Sequence, residues 1–276
     1  MAEISRRSAI LNLEQYGKGE PVLLVHGLGA CTELWQNQIS ALSRVYHTFV
    51  MDVRGFGRSV LLEEKPSFTI EDLADDVAAI CDHYGLRDIN FVGTSMGGFI
   101  GQKLALANPG LCRTLTLCFT ACRSGIPPEV VQSRVDALKS LSMSDFGAMV
   151  AGQALAQLAS DDLVAWLAAM IGKNDPRTYS YYLQKIIAEF SACDEAEKID
   201  VPTLVISGSN DRVIPGDLGR ELHGYLPRSE FHLMEGVGHI GYAEQPEKFN
   251  DLLLAFLAKH NGEGGKFKPA AVGDAL

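Results

Sequence analysis

The stretch that most constrains this 276-residue chain is INFVGTSMGG, residues 89–98. Residues 89–92 read as a short apolar strand. The strand runs into Gly93-Thr94-Ser95-Met96-Gly97, which fits G-x-S-x-G, a sharp turn between a strand and a helix. A serine at the apex of such a turn is held in a strained backbone conformation. The positions two residues away on either side come so close together that neither tolerates a Cβ. The helix that follows, expected over 97–108, points its N-terminus at the turn, where unpaired N–H groups favour negative charge. A glycine-rich turn with an incidental serine satisfies the same string. The flanking elements and distant partners therefore have to decide.

The flanking segments alternate. Apolar runs at 8–16, 21–26, 47–51, 114–119, 202–208 and 230–234 read as strands. Residues 32–42, 69–84, 216–225 and 246–260 read as helices, with Trp35 on the buried side of the first. PVLLVHG is a continuous apolar run, as a strand covered on both faces requires. Ile70, Leu73, Ala74, Val77, Ile80 and Cys81 mark one face of a helix. This alternation predicts an α/β architecture: a mostly parallel sheet with helices on both faces.

Between residues 124 and 196 the rhythm changes. No strand pattern occurs there. Helical patterns fall at 128–141, 144–158, 161–171 and 176–190, with Pro128 and Pro176 suited to helix starts. The segment reads as an all-helical insertion. The chain then divides into a core, 1–123 and 197–260, a helical cap, 124–196, and a tail, 261–276. The tail has no periodic apolar face and is expected to be disordered or loosely held.

Composition narrows the function. Hydrophobic residues at 47% and charged residues at 21% suit a globular chain with a sizeable core. A net charge of −10 and the lack of a basic stripe argue against nucleic-acid binding. The longest apolar run, 163–172, is far short of a membrane span, and the N-terminus lacks the apolar core of a signal peptide. The cysteines at 31, 81, 112, 118, 122 and 193 lack C-x-x-C spacing, so neither a zinc site nor a redox motif is indicated. They read as free, mostly buried thiols of a cytoplasmic protein.

A serine hydroxyl is a poor nucleophile without a base, and the base needs an orienting acid. Asp211 follows the strand TLVISG, and His239 follows the strand EFHLME. The chain order is Ser95, Asp211, His239, with each residue just beyond a strand's C-terminal end, where parallel sheets gather their ligand sites. Taken singly, Asp211 is also an ordinary turn residue and His239 an ordinary structural histidine. Among the seven histidines, only His26 and His239 stand on glycine-flanked strand-end loops. The backbone N–H groups of Leu28 and Met96 are the expected donors to a developing oxyanion. His26 is expected to shape its own loop, and Asp52 and Arg54 to fix a neighbouring one. No cofactor is indicated: no G-x-G-x-x-G follows the first strands, and there is neither a P-loop nor H-E-x-x-H.

Residues 20–260 resemble the α/β-hydrolase fold superfamily, with HGLG, DVRGFGRS, GTSMGG, GSNDRVIP and GVGHIGYAEQPEKF in place and in order. The resemblance implies an eight-stranded, mostly parallel sheet with a helical cap inserted after the sixth strand. It puts nucleophile, acid and base on Ser95, Asp211 and His239, and the oxyanion donors on Leu28 and Met96. Residues 93–125 are similar to the 3-oxoadipate enol-lactonases, which implies hydrolysis of a small ester or lactone. C–C bond hydrolases of aromatic-degradation products and cofactor-free perhydrolases share S-M-G-G with the same triad and stay open as alternatives. So does a ligand-binding or signalling protein on the same fold. The absence of aspartate at the elbow apex argues against dehalogenase and epoxide hydrolase chemistry. Under the lactonase resemblance, Arg123 is a candidate partner for a substrate carboxylate, with a surface arginine as the alternative. Trp166 is a second candidate substrate contact. It belongs to an apolar set in the cap, with Leu141, Met143, Phe146, Met149, Leu163 and Met170, that suits either a hydrophobic pocket or cap packing. The expected partner is a small-molecule ester or lactone, with no nucleic acid and no membrane. A homo-oligomer stays open.

Overall fold

A computed structural model describes residues 2–261. The strands are β1 (Ala2–Ser5), β2 (Ala9–Tyr16), β3 (Pro21–Val25), β4 (His47–Met51), β5 (Val60–Leu61), β6 (Ile89–Thr94), β7 (Cys112–Cys118), β8 (Thr203–Gly208) and β9 (Ser229–Met234). They form one sheet in the order β1-β2-β4-β3-β6-β7-β8-β9, with β5 paired to β2 off that path. From β4 to β9 every pairing is parallel; β1 and β2 run antiparallel at one edge. The central strands β6 and β8 are buried along their whole length, which is why they read as unbroken apolar runs.

The path of eight strands agrees with the sequence expectation, but two strands had no sequence signal. AEIS is short and half polar. It is a strand only because it pairs with β2, Ile4 opposite Leu11. The two-residue β5 is likewise set by its partner. With β5 left aside, β7 is the sixth strand, and the helical insertion follows it.

Helices of the core are α1 (Gln36–Leu42), α2 (Ile70–His83) and α3 (Met96–Ala107). The insertion contributes α4 (Pro128–Ser140), α5 (Met143–Ala154), α6 (Asp161–Gly172), α7 (Pro176–Tyr181) and α8 (Cys193–Ala196). The core resumes with α9 (Gly216–Tyr225), α10 (Gly241–Glu244) and α11 (Pro246–His260). Thr69 caps α2 through a reciprocal bond with Asp72, while Ser142, Ser160 and Asp175 cap α5, α6 and α7. Pro128 and Pro176 sit in the first turns of α4 and α7.

Several helix boundaries depart from the periodic pattern because tertiary contacts override it. Residues 32–42 split into a 3-10 turn, Thr32–Trp35, and α1. The pattern at 176–190 breaks at Tyr182–Ile187 into a wider π turn. Helix α5 stops at Ala154 rather than at 158. Arg212 donates to the carbonyls of Gly152 (2.6 Å) and Leu155 (2.9 Å), and the amide of His239 donates to Ala154 O at 2.6 Å. Those bonds draw the chain out of the helix.

Two expectations are corrected. Cys122 and Cys193 are joined by a disulfide across 71 positions of sequence, so the six cysteines are not all free. The bond closes the insertion at its base. There the entering and leaving segments also share backbone bonds, Ala192 N to Cys122 O at 2.7 Å and Ser124 N to Phe190 O at 2.9 Å. The cysteines therefore no longer speak for a reducing compartment. Of the four free thiols, those of Cys81, Cys112 and Cys118 are buried. Secondly, Asn261 was assigned to a loose tail, yet its side chain bonds Tyr46 (2.9 Å) and Asn90 (3.3 Å). The rest of that tail, 262–276, lies outside the described residues. No helix among the described residues is long and apolar enough to cross a membrane.

Candidate active site

Parallel register brings the ends of β3, β6, β8 and β9 to one edge of the sheet. Val25 is level with Gly93, and Gly208 with Met234. The next residues in the chain form the site.

Ser95 follows β6 with φ +52° and ψ −116°, a left-handed conformation that L-residues avoid. The turn is locked from several sides. Ser95 N donates to Cys118 O at 2.9 Å, and the Thr120 hydroxyl donates to Ser95 O at 2.8 Å. A Cβ at Gly93 would lie 2.3 Å from Gly97 O, and one at Gly97 would lie 2.3 Å from Val25 O. This is the physical demand behind the two glycines of the motif. Helix α3 begins at Met96, so its unpaired N–H end faces the turn.

Asp211 and His239 are brought together. His239 Nδ1 stands 2.7 Å from Asp211 Oδ2. The other carboxylate oxygen, Oδ1, accepts the amides of Val213 (2.8 Å) and Ile214 (2.9 Å). The aspartate is therefore fixed by its own loop and presents one oxygen to the imidazole. That geometry selects the tautomer with hydrogen on Nδ1 and leaves Nε2 free to accept a proton. The histidine loop is fixed in turn by Glu244, whose carboxylate accepts Gly238 N (2.9 Å) and Ala156 N (3.1 Å). Burial raises the Glu244 pKa. Ser95 and His239 line one cavity, whose floor is the strand-end loops and whose wall is the insertion.

Leu28 lines the same cavity, and the amides of Leu28 and Met96 have no partner among the described residues. The loop carrying Leu28 is shaped by His26, as expected. Val53 N donates to His26 Nε2 at 2.9 Å, so Nδ1 carries the hydrogen and donates to Gly27 O at 2.7 Å. Full burial lowers the His26 pKa and keeps the ring neutral. Asp52 is a structural hub that accepts the amides of Thr32 (2.7 Å) and Arg58 (2.9 Å) and the Asn12 side chain (2.8 Å). Arg54 pairs with Asp76 through two bonds of 2.7 Å.

Two candidate substrate contacts do not reach this cavity. Arg123 is half exposed and paired with Glu221 on α9 (2.9 and 3.3 Å), and it is not among the residues lining Ser95's cavity. Trp166 lines a separate, more polar cleft with Glu14, Cys31 and Lys173. In their place the insertion contributes Leu167, Ile171, Tyr179 and Arg134 to the wall. Arg134 lies three residues after Val131 and four before Leu138, at the rim of the buried stripe of α4. That spacing was the available signal. Tyr179 lay hidden in the run TYSYY.

A family model described as the alpha/beta hydrolase fold matches residues 20–246. Among curated relatives, "Putative carbamate hydrolase RutD" of Stutzerimonas stutzeri is 27% identical over 270 residues, covering 92% of this chain and 98% of that protein. 3-Oxoadipate enol-lactonase 2 of Acinetobacter baylyi is 26% identical over 263 residues, covering 94% and 97%. Among solved structures, the enol-lactonase from Burkholderia xenovorans LB400 superposes with a TM-score of 0.85 at 26% identity, covering 93% of this chain and all of that one.

Proposed function

This chain belongs to the α/β-hydrolase fold family, and from that premise we propose that it is a serine hydrolase of a small-molecule carboxylic ester or lactone. Ser95 Oγ attacks the carbonyl carbon while His239 Nε2 takes the hydroxyl proton. Asp211 holds the imidazole in the required tautomer and stabilises its charged form. The amides of Leu28 and Met96 donate to the tetrahedral oxyanion, aided by the N-terminus of α3. As the intermediate collapses, the acyl–oxygen bond breaks and His239 returns the proton to the departing alcohol. Water, deprotonated by the same imidazole, then attacks the acyl-serine and releases the acid. In a lactone, the alcohol and the acid stay joined in one product.

The observation that carries the reading is the 2.7 Å bond from His239 Nδ1 to Oδ2 of an aspartate whose other oxygen is fixed by its own loop, with Ser95 and His239 lining one cavity and the serine backbone strained. A carboxylate that only closed a turn has no need to orient an imidazole towards a cavity. Relatives named as an enol-lactonase and a methyl ester esterase support ester and lactone chemistry. With p-nitrophenyl esters, Ser95→Ala is expected to lower kcat by at least ~10³-fold, with an unchanged melting temperature. Turnover at a near wild-type rate in that folded variant would remove Ser95 from the mechanism.

A further inference from the structure

The insertion meets the core at a second place besides the Cys122–Cys193 seam. The C-terminal end of α5 lies directly against the loops that carry Asp211 and His239. The approach is closest at Gly238, where a Cβ would stand 2.6 Å from both Ala154 O and Ala156 N and 2.8 Å from the carbonyl carbon of Leu155. Only a residue without a side chain fits there, so the glycine before His239 answers to this contact. His239 N donates to Ala154 O at 2.6 Å. Arg212, next to Asp211 in the chain, donates to Gly152 O (2.6 Å) and Leu155 O (2.9 Å). Carbonyls at a helix C-terminus lack partners within the helix, and here the acid and base loops supply them.

Glu244 ties the same contact from the other side. It is the last residue of α10, and its own amide donates to Ile240 O at 3.1 Å. Its carboxylate is shared between two backbones. Oε1 accepts Gly238 N from the base loop at 2.9 Å, and Oε2 accepts Ala156 N from the insertion at 3.1 Å. Gly238 and Ala156 are both buried, and a buried amide that loses its acceptor is costly. A carboxylate has an oxygen for each amide. A glutamine has one oxygen and would turn a donor towards the second amide. The insertion thus reaches the base through its backbone, not through the aliphatic side chains that wall the cavity.

We propose that Glu244 is a positioning residue for hydrolysis: it clamps the His239 loop to the end of α5, so that the insertion holds the base as well as covering the cavity. The inference rests on the serine-hydrolase reading. His239 has to keep Nδ1 on Asp211 while Nε2 takes a proton and returns it. Misplacing such a group by about 1 Å costs on the order of 10²-fold in rate. Asp211 holds the ring at one end, and the clamp fixes the backbone from which the ring projects.

The test compares Glu244→Ala and Glu244→Gln with wild type on p-nitrophenyl acetate and p-nitrophenyl pentanoate, at a temperature where thermal melts show each variant folded. Glu244→Ala is expected to lower kcat by roughly 10²-fold and Glu244→Gln by roughly tenfold, with KM within about twofold and the same factor for both esters. Glu221→Gln, which breaks the ion pair with Arg123, should leave kcat unchanged. Wild-type kcat in both folded Glu244 variants would overturn the clamp, as would a loss confined to KM or to the melting temperature. Ester turnover that is lost in Ser95→Ala keeps the hydrolase reading alive even then. Proton NMR tests the clamp without a substrate, through the downfield resonance of His239 Nδ1–H in its bond to Asp211. That resonance is expected in wild type and Glu221→Gln, and broadened by exchange in both Glu244 variants. Should no ester be turned over, the resonance decides alone: broadening supports the clamp, and an unchanged signal overturns it.

Discussion

The strand-end loops and the helical insertion face each other across one cavity and line it in opposite ways. On the core side, Asp211 is saturated by two amides and an imidazole, His26 by Gly27 and Val53, and Ser95's backbone by Cys118 and Thr120. On the insertion side the lining is largely aliphatic, and Arg134 has the Gln153 side chain as partner and no carboxylate within 4.0 Å among the described residues. The difference teaches a division of labour. The core is preorganised before any substrate arrives, which is what transition-state stabilisation requires. The insertion presents a largely aliphatic wall, the side of the cavity that we propose selects the substrate.

This contrast can be broken at the core first. Asp211→Asn keeps the loop's shape but loses control of the His239 tautomer. Turnover of every substrate should fall together, by roughly 10⁴-fold, with substrate ranking unchanged. Steady-state kinetics on p-nitrophenyl esters of two acyl chain lengths reads this directly. A change in ranking without a loss of rate would place Asp211 in selection rather than chemistry.

The next effect falls on the joint between the two regions. The Cys122–Cys193 bond closes a loop with a sequence separation of 71, for which chain entropy gives about 4 kcal/mol. Replacing both cysteines by serine should lower unfolding stability by up to that amount in urea titration. A double variant as stable as wild type would mean that the backbone bonds at 122–124 and 190–192 hold the seam alone.

The smallest effect is a pH dependence confined to the Leu28 loop. His26 is buried and neutral, with its pKa depressed below the ordinary 6.5. The unfolded chain therefore binds a proton that the folded one resists as pH falls through 6.5. The stability due to His26 is full above 6.5 and is lost as pH drops towards its folded value. Thermal melts from pH 8 to 5 should show a slope that flattens in His26→Gln. An identical slope in both would assign it to other groups.

What the sequence revealed follows the same division. The core was legible because strands buried on both faces leave unbroken apolar runs, and because the strained turn at Ser95 admits only glycine at 93 and 97. Asp211 and His239 were legible from their places after strands. The edge strand at Ala2–Ser5 was not, since its conformation comes from pairing rather than from an apolar pattern. The insertion yielded its helices but not its contacts. Periodicity marks the buried face of α4 or α6 without saying whether that face meets the core or a cavity. Thus the sequence offers Trp166 and Arg123 only as candidate contacts, with cap packing and a surface arginine as the alternatives, while Arg134 and Tyr179 line the cavity. A disulfide between residues 71 apart leaves no local trace at all.

The most direct test is to treat the intact protein with a fluorophosphonate probe and map the adduct by mass spectrometry. A single stoichiometric adduct on Ser95, formed far more slowly in His239→Ala, is the predicted result. An unmodified Ser95 in folded protein that still hydrolyses its ester would contradict the account.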